Sequence, residues 1–169
     1  MSREGHGGYL RSLILGLGEG AGETQHLGLE VARGLHAVLQ DPDIDFIEAP
    51  GAGIDLFELA AGYNKVVVVD AVSSGQGDIG ELRRLGLGDL ELSVKSSSGS
   101  SNEYRAVLER EDARGTSAPL EISIYAIEMG RGARTAVEST ELLRNVVPRL
   151  VEQIAREEFG QESSAGEWY

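Results

Sequence analysis

"KVVVVDA", residues 65–71, is the stretch on which the fold turns. Val66 to Val69 are four successive β-branched residues, which stiffen and favour an extended strand. They show no alternation of polar and apolar side chains. A strand without a polar face is one buried on both sides, as in a parallel sheet covered by helices. The strand ends on Asp70, an acid at the tip of a buried element. The valine run is also far too short to cross a bilayer, which takes about 20 apolar residues.

Outward from this strand the chain alternates. Upstream, Tyr9 to Gly16 predicts a first strand that ends in glycines. Leu27, Val31, Leu35 and Val38 recur at helical spacing over 24–39, with Thr24 as the expected N-cap and Pro42 as the stop. "IDFIEA", 44–49, reads as a second strand, and 54–61 as a short helix stopped by Gly62. Downstream, 78–95 predicts one or two strands around a glycine turn. Residues 96–101 read as a serine-rich loop and 102–110 as a helix. "LEISIYAI", 120–127, reads as a strand. Residues 137–159 predict a long closing helix, kinked or broken at Pro148.

This order predicts an α/β fold, a three-layer α/β/α sandwich with a mostly parallel sheet. Right-handed crossovers then place ligand chemistry at the carboxyl ends of the strands. Two acidic positions fall there: the loop after the first strand, and Asp70. The 169 residues predict a single domain with its core over about 9–158 and flexible ends at 1–8 and 160–169. No internal repeat or linker divides the chain.

Composition narrows the chemistry. The chain has no cysteine, which excludes thiolate ligands, cysteine nucleophiles and disulfides within it. Its formal net charge is −13, a field that repels nucleic acid and anionic lipid, so neither is an expected partner. The amino-terminal "MSREGHGGYLRS" lacks the apolar core of a signal peptide, which makes the cytoplasm the expected location.

"GLGEGAGETQHLG", 16–28, follows the first strand and admits two readings. Gly16-x-Gly18-x-x-Ala21 has the spacing of a dinucleotide-binding turn, where glycines let the backbone approach a pyrophosphate. Its surroundings fit poorly. "GETQHLG" separates the turn from the first helical turn, and Glu19 and Glu23 bring negative charge to the phosphate position. The ribose-binding acid, expected about 20 residues on, would have to be Glu48, which is late. The other reading makes Glu23 and His26 metal donors that join Asp70 across the sheet edge. His36 reads as a surface or half-buried side chain, and His6 falls in the amino-terminal end. No Gly-x-Ser-x-Gly elbow supports a serine triad, and "SSSGSS", 96–101, reads as a polar loop.

The motif order resembles the hydrogenase maturation endopeptidases, which trim the C-terminus of the large subunit of nickel–iron hydrogenases. "LILGLGEGAGETQHLGLEVARGL" occupies the place of the family's opening G-x-G-N-x-x-x-x-D-[DE]-G-x-G loop, with Gly16, Gly18 and Gly28 matching. "GAGIDLFELAAGYNKVVVVDAVSSGQGDIGEL", 51–82, follows the family closely. "LEISIYAIEMG" and "LLRNVVPRLVEQIAREE" look like its late strand and closing helix. The resemblance covers roughly residues 10 to 158. It implies a phosphorylase/hydrolase-like fold, a hydrogenase large subunit or related protein as partner, and a metal site.

That site uses an acid from the first loop, the aspartate of "VDA" and a histidine after the fourth strand. The aspartate carries over as Asp70. Without gaps the loop acid falls on Gln25 and its neighbour on Thr24, while the family asparagine falls on Glu19. The histidine position falls near Ser100 or Ser101, and no histidine follows His36. A nickel or zinc site wants about three protein ligands with an open position. Asp70, Glu23 and His26 are therefore expected to hold nickel or zinc weakly or not at all. Three functional readings follow: a maturation protease with a rearranged site, an inactive relative acting as a binding or assembly protein, and a Rossmann-like cofactor-binding domain.

Overall fold

The computed structural model of the chain describes residues 10–18, 26–49, 56–73, 77–85, 121–130 and 136–160. Within them run β1 (Ser12–Leu17), α1 (Leu27–Leu39), β2 (Ile44–Ala49), α2 (Leu56–Ala60), β3 (Lys65–Val72), β4 (Leu82–Leu85), β5 (Glu121–Glu128) and α3 (Ala136–Phe159). The sheet order is β2-β1-β3-β5-β4. β1 pairs in parallel with β2 and β3, β3 pairs in parallel with β5, and β4 runs antiparallel to β5. The expected mostly parallel α/β fold is the one observed.

The valine run lies mid-sheet and is buried on both faces. Val67 and Val69 join Ile14, Tyr125 and Ile127 beneath α1 and α3. Val66 and Val68 join Leu13, Leu15, Ile124 and Ala60 of α2 on the other face. Strand alternation sends successive side chains to opposite faces, so an unbroken apolar run is what a sheet between two helical layers requires. α1 and α3 cross closely where Gly34 meets Val151: a Cβ on Gly34 would lie 2.8 Å from Val151 Cγ2.

Several boundaries differ from the sequence reading. α1 begins at Leu27, with His26 rather than Thr24 at its N-cap. It ends at Leu39, where Gln40 takes a left-handed φ of 45° and returns its N–H to the His36 carbonyl. α3 is unbroken through Pro148. Proline removes one helical N–H donor, but Val146, Leu150, Val151 and Ile154 on either side are buried and hold the helix on the sheet. Thr24, the loop 96–101 and the expected helix 102–110 lie outside the described residues, as do both chain ends beyond 10–160. No helix among the described residues is long and apolar enough to cross a membrane.

The foot of α3 is fixed at the amino edge of the sheet. Glu158 is buried there. It accepts hydrogen bonds from Tyr125 Oη at 2.7 Å and Arg84 Nε at 2.9 Å, and pairs with Lys65 Nζ at 2.9 Å. Burial alone would raise the Glu158 pKa. The donors from Tyr125, Lys65, Ser123 and Arg84 outweigh it and hold the carboxyl at about 2. Burial, reinforced by the Glu158 carboxylate, pushes the Tyr125 phenol well above its ordinary value. Lys65 Nζ also lies 5.1 Å from the Phe159 ring centroid. This network leaves the carboxyl edge of the sheet for other chemistry.

Candidate functional site

At the carboxyl edge, the ends of β1, β3 and β5 carry Leu17, Asp70 and Glu128. Two glycines bring α1 down onto this edge. A Cβ on Gly16 would lie 2.8 Å from Ala32 Cβ. A Cβ on Gly28 would lie 2.8 Å from the Leu17 carbonyl oxygen, 3.0 Å from that of Val69 and 3.1 Å from the Asp70 Cα. Any side chain at 28 would lift the first turn of α1 off the strand ends. The glycines of "GLGEGAGETQHLG" that flank the loop thus serve helix-to-strand contact. Gly18 closes the end of β1 by donating its N–H to the Ala49 carbonyl at 3.2 Å.

His26, the N-cap of α1, is half-buried and its side chain makes no capping hydrogen bond. It lies two residues before Gly28, the residue that meets Asp70. Asp70 is half-buried, in register with Ala126 of β5. Glu23, the third donor expected from the sequence, lies outside the described residues, as do Glu19, Gln25, Ser100 and Ser101. His36 is half-buried on α1 and stacks on Phe46, with ring centroids 5.4 Å apart.

The donor chemistry bears on a metal. Among the described residues no three His, Cys, Asp or Glu side chains form a group that could hold an ion. Asp70 and His26 border one edge but do not by themselves complete a three-ligand site.

Glu48, the candidate ribose acid, is committed elsewhere. Arg33 of α1 bonds it through Nε and also reaches Glu30 at 2.8 Å. The Arg33 hydrogen bond holds the Glu48 carboxyl below the usual carboxylate range. With Glu48 paired and Gly16 packed against Ala32 of α1, the dinucleotide reading loses its acid and the first of its two glycines.

Glu128 is a site-edge residue that the sequence reading passed over. It is 1% exposed at the end of β5, and its Oε1 accepts the Gly130 N–H at 2.9 Å. Its one legible signal is an acid at the carboxyl end of a predicted parallel strand, the same signal that singled out Asp70.

A profile of the family described as HycI, hydrogenase maturation protease, matches residues 29–157. No curated protein sequence matches the chain significantly. Among solved structures, the hydrogenase maturating endopeptidase HybD from E. coli superposes with a TM-score of 0.63 at 18% identity, covering 89% of this chain and 94% of its own. The [NiFe] hydrogenase maturation protease HycI from Thermococcus kodakarensis KOD1 gives 0.58 at 23% identity, covering 87% and 91%. HybD from Thermococcus kodakarensis gives 0.56 at 21%, covering 87% and 97%. At these identities the structural likeness speaks for the fold, and the profile match speaks for lineage.

Proposed function

The chain belongs to the hydrogenase maturation protease family, and from that premise we propose that it processes the C-terminal extension of a nickel–iron hydrogenase large subunit, or of a related protein, at the sheet edge above Asp70. The observation that carries this reading is the approach of α1 to Asp70 through Gly28. It places an acid and the start of a helix on the carboxyl edge of a parallel sheet, where α/β folds hold their ligands. The matched residues 29–157 include Asp70, and the Thermococcus relative is described as a [NiFe] hydrogenase maturation protease.

In this reading Asp70 faces the bound segment, with His26 at the start of α1 and, by the sequence pattern alone, Glu23 as the further candidate donors. Nickel or zinc, when bound to such a set, would supply a Lewis-acidic centre. With two described donors the site favours weak binding of either metal. The reaction would take place in the cytoplasm.

A second reading, in which the chain binds a large subunit and holds it without cutting, would apply if Asp70 and His26, the described donors, are the whole set. One experiment separates the two. Removing this chain from its host should leave the large subunit with its extension, and Asp70→Ala should fail to restore the mature length. A large subunit that matures normally without the chain contradicts the proposal. A large subunit that co-purifies with the chain at full length supports the binding role instead.

A further inference from the structure

Among the described residues three polar or charged side chains are buried: Ser123, Glu128 and Glu158. Ser123 and Glu158 belong to the network at the amino edge. Glu128 lies at the opposite edge, with Asp70. In the β3–β5 register Asp70 opposes Ala126, and Val72 opposes Glu128. Alternation therefore puts Asp70, Ala126 and Glu128 on one face, that of Val66, Val68 and Ile124. Strand rise and spacing place the Asp70 and Glu128 Cα atoms about 8 Å apart.

Glu128 is where three segments are tied together. Its backbone N–H donates to the Glu81 carbonyl at 2.9 Å, and its carbonyl accepts from Gly80 N–H at 2.7 Å. The next residue, Met129, donates its N–H to the Val72 carbonyl at 2.8 Å. The Glu128 side chain then bends forward to accept the N–H of Gly130, whose φ of 71° is left-handed. The carboxylate thus closes the return of the chain after β5. That return holds Met129 against Val72, two residues beyond Asp70. A buried carboxylate is costly to keep, and a plain turn needs only glycine and a backbone acceptor.

We propose that Glu128 is a positioning residue for Asp70: it caps Gly130, fixes the Met129–Val72 bond, and so sets the direction in which the end of β3 presents Asp70 to the bound C-terminal segment. The substrate in this statement rests on the proposed function. The role of the side chain does not, and the test keeps the two apart.

Glu128→Gln keeps an acceptor oxygen at the end of a side chain of equal length. Glu128→Met keeps length and burial but removes the acceptor. Amide hydrogen exchange is followed across the chain in both variants. In Glu128→Met the Ala71, Val72, Met129 and Gly130 amides should exchange about tenfold faster, while Leu150 to Ala155 in α3 keep wild-type rates. Glu128→Gln should restore most of the protection. On a large-subunit precursor, kcat should fall in Glu128→Met with KM little changed, and recover in Glu128→Gln. Acceleration spread evenly over the sheet and α3, or none at the strand exits, overturns the proposal. A wild type that never shortens the precursor contradicts the proposed function, and the exchange pattern still decides the role of Glu128.

Discussion

Gly28 stands directly against Asp70: a side chain at 28 would begin 3.1 Å from the Asp70 Cα, with the carbonyls of Leu17 and Val69 closing the other sides. All three neighbours are backbone atoms, so they cannot rotate away. This contact ties the first turn of α1 to the ends of β1 and β3. It makes the helix start part of the Asp70 edge rather than a neighbour of it.

Gly28→Ala should therefore cost about 1–3 kcal/mol, the range for overpacking a tight interior. Gly16→Ala, whose Cβ would meet Ala32 Cβ at 2.8 Å, should cost a similar amount. Urea denaturation measures both. Only Gly28→Ala should also shift the NMR resonances of Asp70 and His26. Equal perturbation of Asp70 by both variants would mean that Gly28 has no particular hold on the edge.

Glu158 sets an acid limit on stability. Its carboxyl is held at about 2 in the fold, below the ordinary value near 4.3 of an unfolded glutamate. A depressed carboxyl stabilises fully above the unfolded pKa, and that stability is lost as pH falls through it toward the folded one. The contribution is about 3 kcal/mol, present above pH 5 and gone by about pH 2. Unfolding free energy measured from pH 6 to pH 2 should fall accordingly, and Glu158→Gln should flatten that slope. Tyr125→Phe removes the donor at 2.7 Å and should move the Glu158 midpoint upward. A wild-type slope retained in Glu158→Gln would assign the acid limit to other groups.

The glycine-rich loop should not bind a dinucleotide. Fluorescence or calorimetric titration with NAD should show no saturable signal. The reason is physical: Gly16 is occupied by packing against α1, and Glu48 is paired with Arg33. Saturable binding weakened by Glu48→Ala would reinstate the cofactor reading.

Nickel should bind weakly. Calorimetry with Ni²⁺ or Zn²⁺ should give shallow heats without a stoichiometric break, further reduced by Asp70→Ala and by His26→Ala. A sharp one-to-one isotherm abolished by Asp70→Ala would show that residues beyond the described donors complete a strong site.

The fold was legible wherever one segment carried its own pattern. The four valines announced a doubly covered strand, and the helical spacing of Leu27, Val31 and Leu35 announced α1. What escaped depends on partners distant in sequence. A strand was expected within 78–95, but the bounds of β4, Leu82–Leu85 with two arginines at its centre, were not legible. It becomes a strand through its antiparallel ladder with β5. Glu158, in "AREEF", reads as a solvated helix end and is buried only because the sheet brings it Tyr125, Arg84 and Lys65. Asp70 stood out as an acid closing the buried valine run, although β3 continues past it to Val72. Glu128 is likewise an acid after an apolar strand, but Glu121 at the other end of β5 looks identical in sequence and is exposed. Only the register with β3 tells the two apart.

The mass of a large-subunit precursor decides whether the Asp70 edge carries the reaction. The purified precursor is incubated with this chain or with its Asp70→Asn variant, and intact masses are recorded over time. The wild type should remove the C-terminal extension and Asp70→Asn should leave the mass unchanged, at equal folded stability of the two. Equal shortening by both proteins would contradict the assignment of the reaction to the edge that Asp70 and Gly28 share.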